Sequence, residues 1–267
     1  MPTTDRVVHA RMAGCAVQLM EQATALDLIG RAAARERGRP LAVASANLDH
    51  LHHFGRRGAS RGSAMVDTDA LEWLTLLDGA PLVLRAHILT RRAWPRLPGS
   101  ELLGPILVRA CDAGASVGFV GGTDRTLSLV QAKLRQQLPK LRVAGSWSPT
   151  RAQVTDPASS VDLASTVRSA SVDVLVVSLG KPRQEVWIQR HAAQTGAAVL
   201  LAFGAATDFL AGTARRAPSW TGPAGLEWTY RLGREPRRMW RRYLLQGPRS
   251  AVQLLDAQVL AREDVST

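Results

Sequence analysis

A chain of 267 residues with 46% hydrophobic and 21% charged residues has the balance of a folded globular protein, one large domain or one domain with an appendage, which excludes a disordered, collagenous or fibrous chain. Its 34 basic residues exceed the 22 acidic ones by 12, so the surface attracts polyanions, anionic lipid or phosphorylated substrates. Apart from Lys133, Lys140 and Lys181 the cations are arginines, which grip phosphate or carboxylate bidentately, although a GC-rich genome biases composition the same way.

Short apolar runs at 41–45, 74–77, 116–120, 141–144, 172–179 and 198–203 alternate with helical patterns. They read as buried parallel strands joined by crossovers. At the second run a helix over 70–77 followed by a strand over 81–88 is the alternative. Either way the expected fold is α/β, a doubly wound, mostly parallel, Rossmann-like sheet, whose ligands sit beyond the carboxyl ends of the strands.

The strand ends carry the polar residues. After the first run, Ser45 and Asn47 meet a sugar or phosphate oxygen, or else form a turn and cap the next helix. His50, His52 and His53 have no partner at metal-ligand spacing and read as a partly exposed helix start. Asp67, Thr68 and Asp69 form the D-x-D pattern of metal-dependent sugar transfer, while Asp69 with Glu72 equally fits a capping box. Asp78 ends an apolar run, Gly79 permits a tight turn, and Pro81 suits the first turn of a helix. A carboxylate there faces the cleft as general base for an acceptor hydroxyl, or closes an ordinary Asp-Gly turn.

Gly121 and Gly122 precede a helix opening at Thr123 or Asp124, whose N–H groups suit phosphate. The spaced third glycine of a dinucleotide fingerprint is missing. Turn-rich residues 145–160 predict a mobile loop. Gly180, Lys181, Pro182 and Gln184 form either a diphosphate site or a plain Gly-Pro strand-to-helix turn. Asp208 accepts ribose hydroxyls or serves as a cap.

Composition shifts near residue 213. Between 215 and 242 there are eight arginines against two glutamates. Helical spacing gathers Met239, Trp240, Tyr243 and Leu244 within an arc of about 140°, opposite Arg237, Arg238, Arg241 and Arg242. That face suits an anionic membrane surface, or docks on the protein's own core. No helix-turn-helix, zinc or aromatic RNA-binding motif accompanies the arginines, so nucleic acid is not an expected partner. The expected division is a catalytic core, 1–212, and a basic helical appendage, 213–267. Two cysteines, Cys15 and Cys111, fit a reducing cytoplasm. A signal peptide is not expected, and the longest apolar stretch, 197–206, is half of what a bilayer crossing needs.

In order, SANLDH, LLDGAPLV, RLPGSEL, GFVGGTD, SLGKPRQEVW, TDFLAGTARRAP and LEWTYRLGREPRRMWRRYL resemble the WecG/TagA/CpsF glycosyltransferase family across residues 20–248. The resemblance implies a hexosyltransferase that inverts and needs neither metal nor cofactor. It implies transfer of N-acetylmannosamine or a related sugar from a UDP donor to undecaprenyl-diphosphate-linked N-acetylglucosamine, for cell-surface polysaccharide synthesis. The location implied is cytoplasmic, peripheral to the inner face of the cell membrane, and relatives imply oligomers. By position, Asp78 is the implied base and Arg96 lies near the reacting sugars. Ser45 stands where the family has Thr, Asn47 matches its Asn, Gln184 falls at the donor phosphates and Asp208 near the nucleotide. Arg215, Arg216, Arg231, Arg234, Arg237, Arg238 and Arg241 fall in the segment that approaches lipid diphosphate. Two departures stand out: Gly99 is followed by Ser100 and Glu101 instead of the usual Asp, and the His- and Tyr-rich turn after the fourth strand is GSWSP, where Trp147 replaces a tyrosine that stacks on uracil. The alternative is a catalytically inactive nucleotide-sugar or lipid-diphosphate binding module of the same fold.

Overall fold

The structure, a computed structural model, describes residues 6–34, 38–214, 230, 232–233, 240 and 245–264. Among these the strands are β1 (Arg6–Met12), β2 (Cys15–Leu19), β3 (Leu41–Ala46), β4 (Glu72–Leu77), β5 (Ser116–Val120), β6 (Arg142–Trp147), β7 (Val174–Val177), β8 (Val199–Ala202) and β9 (Gln258–Asp264). They form one sheet in the order β6-β5-β7-β8-β3-β4-β2-β1-β9. Neighbours from β6 to β2 run parallel, and β1 is antiparallel to both β2 and β9. Segments such as VLVV in β7 and VLLA in β8 are apolar throughout because both of their faces are covered.

Alternation along β3 shows the two layers. Val43 joins a cluster with Ile29 of α1 (Gln22–Ala33), Ile106 of α4 (Gly99–Asp112), Val130 of α5 (Asp124–Gln137) and Ala206 of α9 (Ala206–Ala211). Ala42, Ala44 and Ala46 point the other way. They pack with Leu51 of α2 (Leu48–Phe54), Leu82 of α3 (Ala80–Thr90), Ala164 of α7 (Pro157–Ser169) and Ile188 of α8 (Arg183–Thr195). The chain leaves β3 for the second layer and the adjacent β8 for the first, so the connections diverge between these neighbours. The same divergence occurs between β5 and β7. Crevices therefore open at the carboxyl ends of both pairs, the position that topology assigns to ligands.

The second apolar run is a strand, and 81–88 is helical, with Pro81 in the first turn of α3. Other expectations need correction. Residues 145–160 are not a loop: β6 runs to Trp147, and two helices follow, α6 (Arg151–Thr155) and α7. The residues read as loop formers are caps. Thr150 and Gln153 close a capping box, Asp156 accepts from Ser159 N, and Pro157 opens α7. Asp69 and Glu72 do not cap a helix, since Glu72 begins β4 and Thr68 bridges Leu71. His50 is fully buried rather than partly exposed.

The strands β1, β2 and β9 were not anticipated. Ala13 and Gly14 join β1 to β2 with φ of 53° and 90°, the left-handed pair that a two-residue hairpin needs. At the other end of the chain, α10 (Gly247–Val252) packs on α2, a 3-10 turn follows at Gln253–Asp256, and β9 completes the sheet beside β1. Part of the expected appendage is thus built into the sheet. Arg215, Arg216, Arg231, Arg234, Arg237, Arg238 and Arg241 lie outside the described residues, as does the expected amphipathic helix apart from Trp240, which is exposed. Among the described residues no helix is long and apolar enough to cross a membrane.

Candidate active site

Asp78 stands one residue beyond β4 and is half-buried. Its backbone N–H donates to Ala46 O at 2.9 Å, tying it to the end of β3. Its two carboxylate oxygens are each engaged: Gly79 N donates to Oδ1 at 2.7 Å, and Asn47 Nδ2 donates to Oδ2 at 3.2 Å. Asn47 is in turn held by its cap, since its Oδ1 accepts from His50 N at 3.1 Å. The cap reading of Asn47 is realised by its Oδ1, while Nδ2 at the other end of the same carboxamide is turned to Asp78. An Asp-Gly turn is realised as well, and it orients the carboxylate at the strand ends.

Ser45 faces the opening of α4. Its Oγ accepts from Gly99 N at 3.0 Å and donates to Leu97 O at 3.2 Å. Gly99 is required by close approach: a Cβ there would lie 2.3 Å from the ring of Phe203, just past β8. Leu97 N donates to Leu77 O at 2.7 Å, which ties the residue after Arg96 to the last residue of β4, the one before Asp78. The Arg96 guanidinium pairs with Glu101 Oε1 at 3.1 Å. Glu101 thus reaches back from the first turn of α4.

Gln184 lies in the first turn of α8. Gln184 is buried, and its amide N–H groups donate to Ala202 O at 2.8 Å and Glu185 Oε1 at 3.1 Å. Its Oε1 lies against Gly204 without a hydrogen bond. In this arrangement both side-chain N–H donations of Gln184 go to protein acceptors. Lys181 Nζ donates to Ser45 O at 3.2 Å, meets His50 Nδ1 at 3.3 Å, and pairs with the buried Glu185 at 3.6 Å. Burial raises the Glu185 carboxyl, with Lys181 opposing. Burial, and then Lys181 and His53, push the His50 imidazole well below its usual range, so the ring is neutral. Cys15 of β2 is pushed up to about 12, mainly by burial against the opposing pull of Lys181, and stays a thiol. The sequence places Glu185 in the first turn of α8 but does not show its burial or that of His50; the four-residue spacing of Lys181 and Glu185 is the available signal for their pairing.

The second crevice holds Gly121 and Gly122 between β5 and α5. Gly121 has φ of 99°, and a Cβ on it would lie 2.5 Å from Ser178 O, so the close approach of β5 and β7 alone demands glycine. Gly122 is exposed with φ of 88° and precedes the Thr123 cap of α5. Trp147 lies back over Gly145 and Gly118, so its indole covers the sheet beneath the strand ends. Asp208 is half-buried in the first turn of α9 and does not cap it, since Ala205 holds the N-cap position. Ser178 Oγ and Thr207 Oγ1, 2.5 Å apart, join the end of β7 to α9. The D-x-D pattern lies elsewhere: Asp67 Oδ1 accepts from Trp73 N at 2.7 Å and faces Arg39, at the opposite end of β4 from Asp78.

The structure thus brings Ser45, Asn47, Asp78 and Lys181 together, with Arg96 adjoining, and places Gly121, Gly122 and Asp208 at neighbouring strand ends. The family model described as "Glycosyl transferase WecG/TagA/CpsF family" matches residues 10–264. The chain is similar to the N-acetylglucosaminyldiphosphoundecaprenol N-acetyl-beta-D-mannosaminyltransferase of Bacillus subtilis (strain 168), 28% identical over 198 residues, 72% of this chain and 74% of the relative. It is equally similar, at 28% over 169 residues, to the protein of the same description from Bacillus spizizenii (strain ATCC 23059 / NRRL B-14472 / W23), covering 63% of each chain.

Proposed function

The chain belongs to the WecG/TagA/CpsF family of glycosyltransferases, and from that membership we propose that it moves N-acetylmannosamine or a related sugar from a UDP donor to undecaprenyl-diphosphate-linked N-acetylglucosamine, inverting the anomeric centre without a metal. The sugar and the lipid-linked acceptor come from the printed descriptions of the two relatives. The observation that carries the reading is the carboxylate of Asp78, held by Asn47 and Gly79 at the carboxyl ends of parallel strands.

In this reading the acceptor hydroxyl donates its proton to Asp78 as its oxygen attacks the anomeric carbon. The bond from that carbon to the donor phosphate breaks, and UDP departs with the bonding pair. The N–H groups at the openings of α5 and α8, with Gly122, receive the negative charge of UDP. Arg96 exchanges its Glu101 partner for donor or acceptor phosphate, and Asp208 serves the nucleotide. The arginines 215, 216, 231, 234, 237, 238 and 241 neutralise the lipid diphosphate and the anionic inner face of the membrane.

The experiment is a panel of UDP-sugars incubated with a short polyprenyl-diphosphate-linked N-acetylglucosamine, with excess chelator. UDP release that requires both substrates, survives chelation and yields a product of inverted anomeric configuration is the expected result. Retained configuration, or activity restored only by added manganese, defeats the mechanism.

A further inference from the structure

Lys181 is surrounded by as many protein acceptors as an ammonium has protons: Ser45 O, His50 Nδ1 and Glu185 Oε1. These partners come from three elements, the end of β3, helix α2 and the first turn of α8. Glu185 is fully buried and the Lys181 side chain is 14% exposed, so the pair is screened little by solvent.

We propose that Lys181, Glu185 and His50 form a clamp that positions Asn47, and through Asn47 the carboxylate of Asp78. The contacts are continuous. Glu185 holds the ammonium, the ammonium holds the imidazole and the last carbonyl before Asn47's neighbour, His50 N holds Asn47 Oδ1, and this directs Asn47 Nδ2 onto Asp78 Oδ2. With Nδ1 accepting from Lys181, the neutral His50 ring carries its proton on Nε2, a buried atom without a partner. Such a group is retained at a cost, which the clamp explains. These are positioning residues, and the inference rests on the reading of Asp78 as base.

Lys181→Met with Glu185→Gln removes both charges together and strands neither in the interior. The expected result is a roughly tenfold fall in kcat for UDP release, with the donor KM and the affinity for UDP within about threefold of the parent. Asn47→Ala is expected to lower kcat similarly, and the triple variant to fall no further, because all three act along one path. A donor KM raised at unchanged kcat makes Lys181 a phosphate ligand and overturns the clamp. So do unchanged kinetics, or losses that multiply in the triple variant. Imidazole nitrogen shifts of His50 in the unaltered protein give a readout free of activity and of any variant's folding: an Nε2–H tautomer is expected, and an Nδ1–H tautomer overturns the proposal. If the unaltered protein releases no UDP, the base reading fails, and the tautomer still decides the clamp.

Discussion

Asp78 is served by two hydrogen-bond donors, Gly79 N and Asn47 Nδ2, and neither charge nor burial alone would give it a direction. Asp78→Asn keeps the shape and removes the proton acceptor. Turnover is expected to fall at least about a hundredfold while UDP binding, read by calorimetry, stays near normal. Near-normal turnover would remove Asp78 from the chemistry. His50 supplies a pH test. Its folded-state pKa is depressed below the ordinary 6.5, so its contribution to stability is present above that value and lost as pH falls toward the folded one. Between pH 7 and pH 5 the unfolding free energy should drop by up to about 2 kcal/mol on its account, the limit for one such group. His50→Phe, which keeps a ring against Phe54, is expected to lose less over the same interval in urea titrations. The strand-end places of Ser45, Asn47 and Asp78 could be read from the apolar runs beside them. The buried role of His50 could not, because burial of a polar residue depends on which helix covers it, and its three-histidine context reads as solvated.

The opening of α4 packs closely against Ser45 and Phe203. Gly99 N holds Ser45 Oγ, and the missing Cβ leaves room for the Phe203 ring. Gly99→Ala places a methyl against the inner edge of a buried aromatic, an overpacking that typically costs about 1–3 kcal/mol. The denaturant midpoint should fall, and Phe203→Leu in the same chain should restore part of it. An unchanged midpoint would mean that α4 shifts freely, and Ser45 with it. At this scale the parallel strands and their crossovers were readable because runs such as SVGFV and VLLA are apolar on both faces. The helices over 151–169 were not, because the Thr, Asp, Ser and Pro that open α6 and α7 are the same residue types that populate loops, and only backbone geometry separates a cap from a turn.

Along the chain, the basic excess and the last strand of the sheet both fall in the C-terminal part. Because β9 pairs with β1, removing residues 213–267 exposes the edge of β1 and part of its apolar cover. Such a truncation is expected to aggregate or unfold earlier in thermal melts, so it cannot report on the arginines alone. Replacing Arg237, Arg238, Arg241 and Arg242 with Ala is the cleaner variant. Sedimentation with vesicles containing phosphatidylglycerol should fall several-fold and lose most of its salt dependence, with the melting midpoint unchanged, as expected when each cation near an anionic surface contributes about 1 kcal/mol. Equal sedimentation of both proteins would refute the membrane role of these arginines. Composition, period and motif order sufficed for the α/β class and the family, since these follow from local apolar pattern and from short segments in series. The pairing of β9 with β1, the Glu101 partner of Arg96, the burial of Gln184 against Ala202 O and the Glu185–Lys181–His50 cluster were set by folding. Each joins residues whose proximity, or whose competing acceptors and donors, exists only once the layers have packed.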